Sequence, residues 1–98
     1  MVLLLEIESS KIGSLDDVYD LVAKLPGLPD WFGRNINALA ELAYFVKQPL
    51  DIVVRHPKAL ERRLGRRDYE ALIWALEAVR DTSNKDAGSQ PATLAIIP

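Results

Sequence analysis

Three short runs of apolar, mostly branched residues constrain the fold of this chain more than any other feature. They cover Val2 to Glu8, Leu50 to Arg55 and Thr93 to Ile97. Near-continuous apolar strands are typical of a parallel sheet whose faces are covered by helices. Two helical segments lie between the first two runs, and at least one long segment lies between the last two, as strand–helix–strand crossovers require. We therefore predict an α/β fold with a small parallel three-stranded sheet packed with about four helices.

Composition limits the size and the chemistry of the protein. Its 98 residues suffice for a single domain with one hydrophobic core. Apolar residues make up 49% and charged residues 27%, and the net charge is −2, which fits neither a disordered polyelectrolyte nor a membrane protein. Cysteine is absent and His56 is the single histidine, so we expect no metal site and no cofactor.

The N-terminal segment MVLLLEIESS is similar to the apolar part of a secretion signal. It lacks a basic start, however, and it contains Glu6 and Glu8 where a signal must stay apolar. We therefore interpret the segment as a strand and expect a cytoplasmic protein that makes no contact with membranes.

Two helices are predicted before the second strand. The first follows Ser14, whose hydroxyl we expect to cap it, and its buried residues are Leu15, Val18, Val22 and Leu25. The second begins near Ile36, after a cap by Asn35 and a turn in which Gly33 supplies a positive φ. Its buried residues are Ile36, Leu39, Ala43 and Val46. Its outward residues are Asn37, Ala40, Glu41 and Tyr44.

Two more helices are predicted between the second and third strands. The shorter runs from Pro57 to Leu64 and ends at Gly65, and the longer runs from Asp68 to about Asp81. The apolar stripe of the longer helix consists of Tyr69, Leu72, Ile73, Leu76 and Val79. Its opposite face carries an outward tryptophan among three carboxylates, namely Glu70, Trp74, Glu77 and Asp81. Residues 82 to 92 are predicted to form a surface loop.

No group of residues in the sequence indicates an enzyme. A catalytic site needs a nucleophile with its base, a metal cluster, a phosphate-binding loop or converging carboxylates. Only carboxylates are available, and on the predicted helices they lie on outer faces. We interpret His56 as a strand-end residue before Pro57 and predict that the protein has no catalytic activity.

Four arginines follow one another closely at Arg62, Arg63, Arg66 and Arg67. Such a cluster can neutralise successive phosphates, so a nucleic-acid binder is one alternative. We favour a solvated helix end, because no aromatic residue interleaves the arginines and the chain is acidic. Direct binding of nucleic acid is therefore not expected.

The aromatic residues divide into core and surface candidates. We assign Phe32 to the core. Trp31 lies in a turn beside Gly33, and Trp74 lies opposite a complete apolar stripe, so we expect at least one tryptophan to be exposed. Exposed tryptophans flanked by acids are typical of a protein-binding hot spot with a charged rim.

Residues 28 to 39, L-P-D-W-F-G-R-N-I-N-A-L, resemble the barstar family's signature of Leu-Pro, paired aromatics, Gly, Asn and Ala-Leu at the start of its second helix. The order of strands and helices is similar along most of the chain, including Pro49 and Leu50 at the start of the second strand. The resemblance implies a barstar-like fold and an inhibitor that occludes the active site of a secreted guanyl-specific ribonuclease. It implies a protein partner, a ribonuclease or another toxin. We expect a monomer when that partner is absent.

The resemblance also implies which residues bind the partner. Trp31 matches an aromatic contact residue, and Glu77 matches an acidic contact on the fourth helix. Asn37 and Glu41 match two acidic positions on the second helix, of which Glu41 is central and faces arginines of the enzyme. The complete set is Trp31, Phe32, Gly33, Arg34, Asn37, Ala40, Glu41, Tyr44, Trp74 and Glu77.

Three of these positions depart from the family pattern. Asn37 replaces an aspartate of the best-known member, Ala40 replaces a tryptophan, and Arg34 adds a cation. We expect the acid-flanked Trp74 to shift binding energy toward the fourth helix. The departures leave open an adaptor or immunity module of the same fold that binds a partner other than a ribonuclease.

Overall fold

The computed structural model describes residues 2–85 and 90–98. Three strands form one sheet: β1 (Leu3–Glu8), β2 (Leu50–Arg55) and β3 (Ala92–Ile97). The helices are α1 (Leu15–Ala23), α2 (Ile36–Ala40), α3 (Pro57–Leu64) and α4 (Arg66–Lys85), with 3-10 turns at Ser9–Lys11 and Leu42–Tyr44. The strands lie in the order β1, β2, β3, and both neighbouring pairs are parallel. The predicted α/β fold with a small parallel three-stranded sheet is therefore confirmed.

Alternate residues of β1 and β2 are buried, so the sheet has one covered face and one open face. The covered face carries the buried side chains of Leu3, Leu5, Ile7, Leu50, Ile52 and Val54. On the open face, Arg55 pairs with Glu6 at 2.8 Å and the Thr93 hydroxyl donates to Asp51 at 2.9 Å. The prediction that helices cover both faces is wrong. Polar side chains pair across the strands of the second face, so this face can remain exposed to water.

The helices contribute the remaining core side chains. Those that are fully buried or nearly so are Val18, Val22, Leu39, Leu42, Leu60, Leu72, Ala75, Leu76 and Val79. Leu15, Leu25, Ile36 and Tyr69, which we also predicted to be buried, are partly buried and pack at the margin of this core. Within the described residues, no helix is both long enough and apolar enough to cross a membrane.

The start of α1 differs in detail from the prediction. Ser14 precedes the helix with extended backbone dihedrals, but its side chain makes no capping hydrogen bond. The Asp17 carboxylate instead accepts a hydrogen bond from the Gly13 N–H at 2.7 Å. A carboxylate in the first turn is also favoured by the helix dipole, so Asp17 fixes the chain where the Ser14 hydroxyl was expected to do so.

The helix α4 is longer than predicted at both ends. It starts directly after Gly65, whose φ of 86° separates it from α3. It continues to Lys85 because Ser83 is buried and the Asn84 amide hydrogen-bonds to the backbone of Ala92. The predicted loop of residues 82 to 92 is thus wrong for its first part, while residues 86–89 lie outside the described residues.

The central position of β2 makes its buried side chains a sensitive probe of the core. Ile52→Ala should lower the free energy of unfolding by about 2–5 kcal/mol, because it leaves a cavity on the covered face. Leu4→Ala on the open face, where 60% of the residue is exposed, should change it by less than about 0.5 kcal/mol. Urea unfolding of both variants tests this, and equal losses would contradict the assignment of the two faces.

Candidate functional site

The loop before α2 places Trp31 on the surface and Phe32 at the edge of the core. Trp31 is 74% exposed, whereas Phe32 is partly buried, as predicted. Both rings make edge-to-face contacts with Phe45, with centroid distances of 5.5 Å for Trp31 and 5.4 Å for Phe32. A turn hydrogen bond from the Phe32 N–H to the Pro29 carbonyl closes the loop at 3.0 Å. Phe45 therefore supports the loop, a role that no local pattern around this residue predicts.

Gly33 occupies a position where there is no room for a side chain. The prediction that it supplies a positive φ is wrong, since its φ lies outside that range. A Cβ at this position would lie 2.9 Å from Nδ2 of Asn35 and 3.2 Å from Cβ of Ala38. Asn35 caps α2 as predicted, because its Oδ1 accepts a hydrogen bond from the Ala38 N–H at 2.8 Å. Gly33 thus leaves space for the capping side chain.

The second helix is short and changes into a tighter turn. It ends at Ala40, the φ and ψ of Glu41 are −92° and 4°, and a 3-10 turn follows at Leu42–Tyr44. Leu39, Ala43 and Val46 are buried as predicted. Leu42 is also fully buried, although our prediction did not include it; it lies three residues after Leu39 and therefore on the same side of the segment.

The outward side of this segment carries polar and aromatic side chains. Asn37, Glu41 and Tyr44 are exposed, as predicted from the sequence. Ala40 is partly buried against the core, so its predicted outward position is wrong. Glu41 takes part in none of the ion pairs found among residues 2–85 and 90–98. Its carboxylate is therefore available to an external cation.

Arg34 is bound to α1. Its guanidinium lies 2.9 Å from Oδ1 of Asp20 and 3.7 Å from Oδ1 of Asp16, and it donates to the Asp16 carbonyl at 3.1 Å. It also lies over the ring of Tyr19, 5.9 Å from the centroid. Burial raises the pKa of Tyr19, and Asp16 and Asp68 raise it further, while Arg34 lowers it. The hydroxyl therefore stays protonated at neutral pH, and the positive charge of Arg34 is balanced within the protein.

A cavity of about 300 Å³ lies between α1, the loop and α2. Side chains that line it include Tyr19, Val22, Leu28, Phe32, Arg34 and Leu39. The loop with Trp31 thus borders a concave surface lined by both apolar and polar side chains, and binding sites are usually concave.

The outer face of α4 forms a second group of exposed residues. Trp74 is 55% exposed, and Glu70, Glu77 and Asp81 are exposed around it, as the helical spacing predicted. Two of the three carboxylates are paired within the helix, Glu70 with Arg66 and Asp81 with Arg80, each at 3.0 Å. Arginines on the same helix therefore reduce the negative charge around the tryptophan.

The histidine and the arginine cluster that the sequence suggested as possible functional groups are both exposed on the surface. His56 is exposed at the end of β2 with a left-handed φ of 56°. Arg62, Arg63, Arg66 and Arg67 are all exposed at the junction of α3 and α4. Within residues 2–85 and 90–98, no group of three or more His, Cys, Asp or Glu side chains is arranged to hold a metal ion.

The contact between Gly33 and Asn35 can be tested by a double-mutant cycle. Asn35→Ala removes the cap and should cost about 0.5–2 kcal/mol of unfolding free energy. Gly33→Ala should cost a similar amount, because the new methyl group displaces the same side chain. The double variant should lose less than the sum of the two.

Gly13→Ala is the matched control for this cycle, since a Cβ there meets Oδ2 of Asp17 at an ordinary distance of 3.5 Å. It should leave the stability unchanged or raise it slightly by restricting the unfolded chain. Strict additivity of Gly33→Ala and Asn35→Ala in chemical unfolding would show that the two positions act separately.

Comparison with known proteins identifies the family. The family model described as Barstar (barnase inhibitor) matches residues 2–94 of the 98 residues, and so covers nearly all of the fold. A search of curated proteins finds no match for the chain. Since the family match spans far more than half of its length, the chain belongs to the barstar family.

Proposed function

We propose that this protein inhibits a ribonuclease by docking the surface around α2 over the active site of the enzyme. Membership of a family described by its inhibition of barnase supports a ribonuclease as the partner. The observation that carries the proposal is the exposed Glu41, which has no ion-pair partner among the described residues. A ribonuclease binds RNA, which is a polyanion. The cationic side chains of its active site can therefore supply the positive charge with which this carboxylate would pair.

The charges near α2 favour such a partner. Arg34 would oppose a basic cleft if it were free, but Asp16 and Asp20 balance it on the side of α1. Glu41 therefore presents a negative charge that no ion pair among the described residues neutralises. Once water is excluded by docking, a hydrogen-bonded pair between a carboxylate and an arginine becomes strong and directional.

The aromatic residues supply the apolar part of the proposed interface. Trp31 is mostly exposed, Tyr44 is exposed on the same segment as Glu41, and both would lose contact with water on docking. Aromatic side chains and arginine pairs at the centre of an interface commonly provide most of its binding energy. The loop and the outward side of α2 thus combine an apolar anchor with an acidic group.

Inhibition of this kind needs neither catalysis nor a cofactor. The carboxylate occupies the position of a substrate phosphate, and the bulk of the domain excludes RNA from the cleft. We place the protein in the cytoplasm, where it would neutralise the enzyme before the enzyme reaches the RNA of the cell.

A partner other than a ribonuclease is the second candidate. It is favoured by Asn37, which lacks the charge expected at its position in the family pattern, and by Ala40, which is small and partly buried. A less basic target would tolerate both residues. In that case the same surface would bind a different toxin or a regulatory partner.

Substitution of Glu41 provides the direct test of the proposed inhibitor. The protein is immobilised, ribonucleases are recovered from the lysate and secreted fraction of the source organism, and RNA cleavage is assayed with added inhibitor. Glu41→Ala should weaken inhibition at least about 100-fold, because breaking a buried ion pair costs about 3–5 kcal/mol. The stability of the free variant should change by less than about 0.5 kcal/mol, since the side chain is exposed.

Glu61→Ala on α3 is the control for loss of a carboxylate elsewhere, and it should leave inhibition unchanged. Equal weakening by the two substitutions would exclude Glu41 as the central contact. Tight binding of a partner without any ribonuclease activity would favour the second candidate.

The two tryptophans report separately on the two exposed groups. The chain has two tryptophans, so Trp74→Phe leaves Trp31 as the single fluorophore and Trp31→Phe leaves Trp74. Addition of the partner should reduce acrylamide quenching of Trp31 strongly, because docking shields its exposed ring. If Trp74 alone becomes shielded, the interface lies on α4 and the proposed placement is incorrect.

A further inference from the structure

The strand β3 forms one edge of the sheet, and only alternate residues use their backbone groups to bond to β2. The Leu50 N–H donates to the Pro91 carbonyl at 3.0 Å, and the His56 N–H donates to the Ile97 carbonyl at 2.8 Å. The direction of these groups alternates along a strand, so Thr93 and Ala95 also face β2. The residues whose backbone groups face the free edge are Ala92, Leu94 and Ile96.

One of these three residues already has partners within the chain. The Ala92 N–H donates to Oδ1 of Asn84 at 3.3 Å, and the Ala92 carbonyl accepts from Nδ2 of Asn84 at 3.2 Å. Asn84 thereby occupies the edge at the start of β3. Within residues 2–85 and 90–98, the backbone N–H and carbonyl of Leu94 and of Ile96 have no partner and are directed away from β2.

The side chains of β3 do not protect this edge. The strand reads ATLAII and contains no charged residue, and Ile96 and Ile97 are 43% and 39% exposed. Charged edge strands and covering helices are the usual protection against pairing with another strand. At the other edge, β1 carries the charged residues Glu6 and Glu8 and lines a groove together with residues of α1.

We propose that two copies of the chain pair through β3 in an antiparallel arrangement and form one continuous sheet. Leu94 would exchange both of its backbone hydrogen bonds with Ile96 of the partner subunit, and Ile96 would do so with Leu94 of the partner subunit. Ala95 then lies opposite itself on a two-fold axis, as a self-complementary interface requires.

The same register explains why the ladder has a defined length. The next pair outward would join Ala92 to Pro98 of the partner subunit. Ala92 is already bonded to Asn84, and proline has no N–H to donate. The free donors and acceptors of β3 are thus used completely by a second copy, with none left over at either end.

The side chains fit the same partner. Leu94 and Ile96 lie on the covered face. Leu94 of each copy would pack beside Ile96 of the other copy, which would reduce the exposure of Ile96. Ala95 is small where the strand meets itself, and an uncharged strand does not repel its own copy. Pairing of a single short strand buries less area than the roughly 1,200–2,000 Å² of stable complexes, so the dimer is weak and depends on concentration.

Sedimentation of the whole chain over a wide range of concentrations tests this dimer. The mass should rise from that of one chain toward that of two, in place of the monomer expected from the sequence. Hydrogen exchange at low and high concentration identifies the surface, because the amides of Leu94 and Ile96 should become protected only at high concentration. The Thr93 amide, which bonds to β2, should be protected at both.

Two different substitutions of Ile96 separate a loss of dimerisation from a loss of folding. Ile96→Pro removes a donor at the free edge without breaking a bond to β2, and Ile96→Lys adds a charge to the edge. Both should remain monomeric, while Leu4→Lys, the control at an exposed apolar residue of β1, should dimerise like the unaltered chain. A chain that stays monomeric at every concentration, or folded Ile96 variants that dimerise normally, would overturn the proposal.

Discussion

Burial of one face of the sheet against the helices determines where every surface of this protein lies. The side chains of β2 fill the centre of the covered face, and the segment after the loop, which packs against α4, must place Leu39 and Leu42 in the same core. Residues three positions apart lie on one side of an α-helix and of a 3-10 turn, so both leucines are directed inward. Glu41, which lies between them in sequence, is directed outward as a result. Packing of the core thus produces the exposed carboxylate on which the proposed inhibition depends.

The two proposed contact surfaces use opposite chemistry. The surface around α2 combines a free carboxylate with exposed aromatic rings, which suits a cationic partner that must be recognised from a distance. The edge of β3 has no charge and offers only backbone groups and aliphatic side chains. Such an edge gives little long-range attraction and selects a partner by hydrogen-bond register. A strong heterologous contact and a weak contact between copies can therefore coexist on one small domain.

The sequence predicted those features that local chemistry controls. The bounds of β2 and α3 follow from Pro49, Pro57 and Gly65, which stop or start regular structure on their own. Asn35 was identified as a cap for the same reason. Features that depend on distant residues were not predictable: Phe45 supports a loop far from it in the chain, α1 holds Arg34, and Asn84 extends α4 through a bond to β3. The sequence also indicates that a glycine is needed at Gly33. The structure shows that it is needed because a side chain would meet Asn35 and Ala38, and not because the backbone has a positive φ.

The edge-to-face contact of Trp31 with Phe45 has a consequence for the kinetics of recognition. A large exposed side chain usually loses rotamer freedom when a partner covers it, at a cost of about 0.5–1.5 kcal/mol. Here the indole of Trp31 already contacts the ring of Phe45, and the ring of Phe45 also packs against Phe32. Part of that ordering entropy is lost during folding of the free domain. The anchor is pre-organised, so encounters can convert to a bound complex without waiting for the side chain to find its orientation.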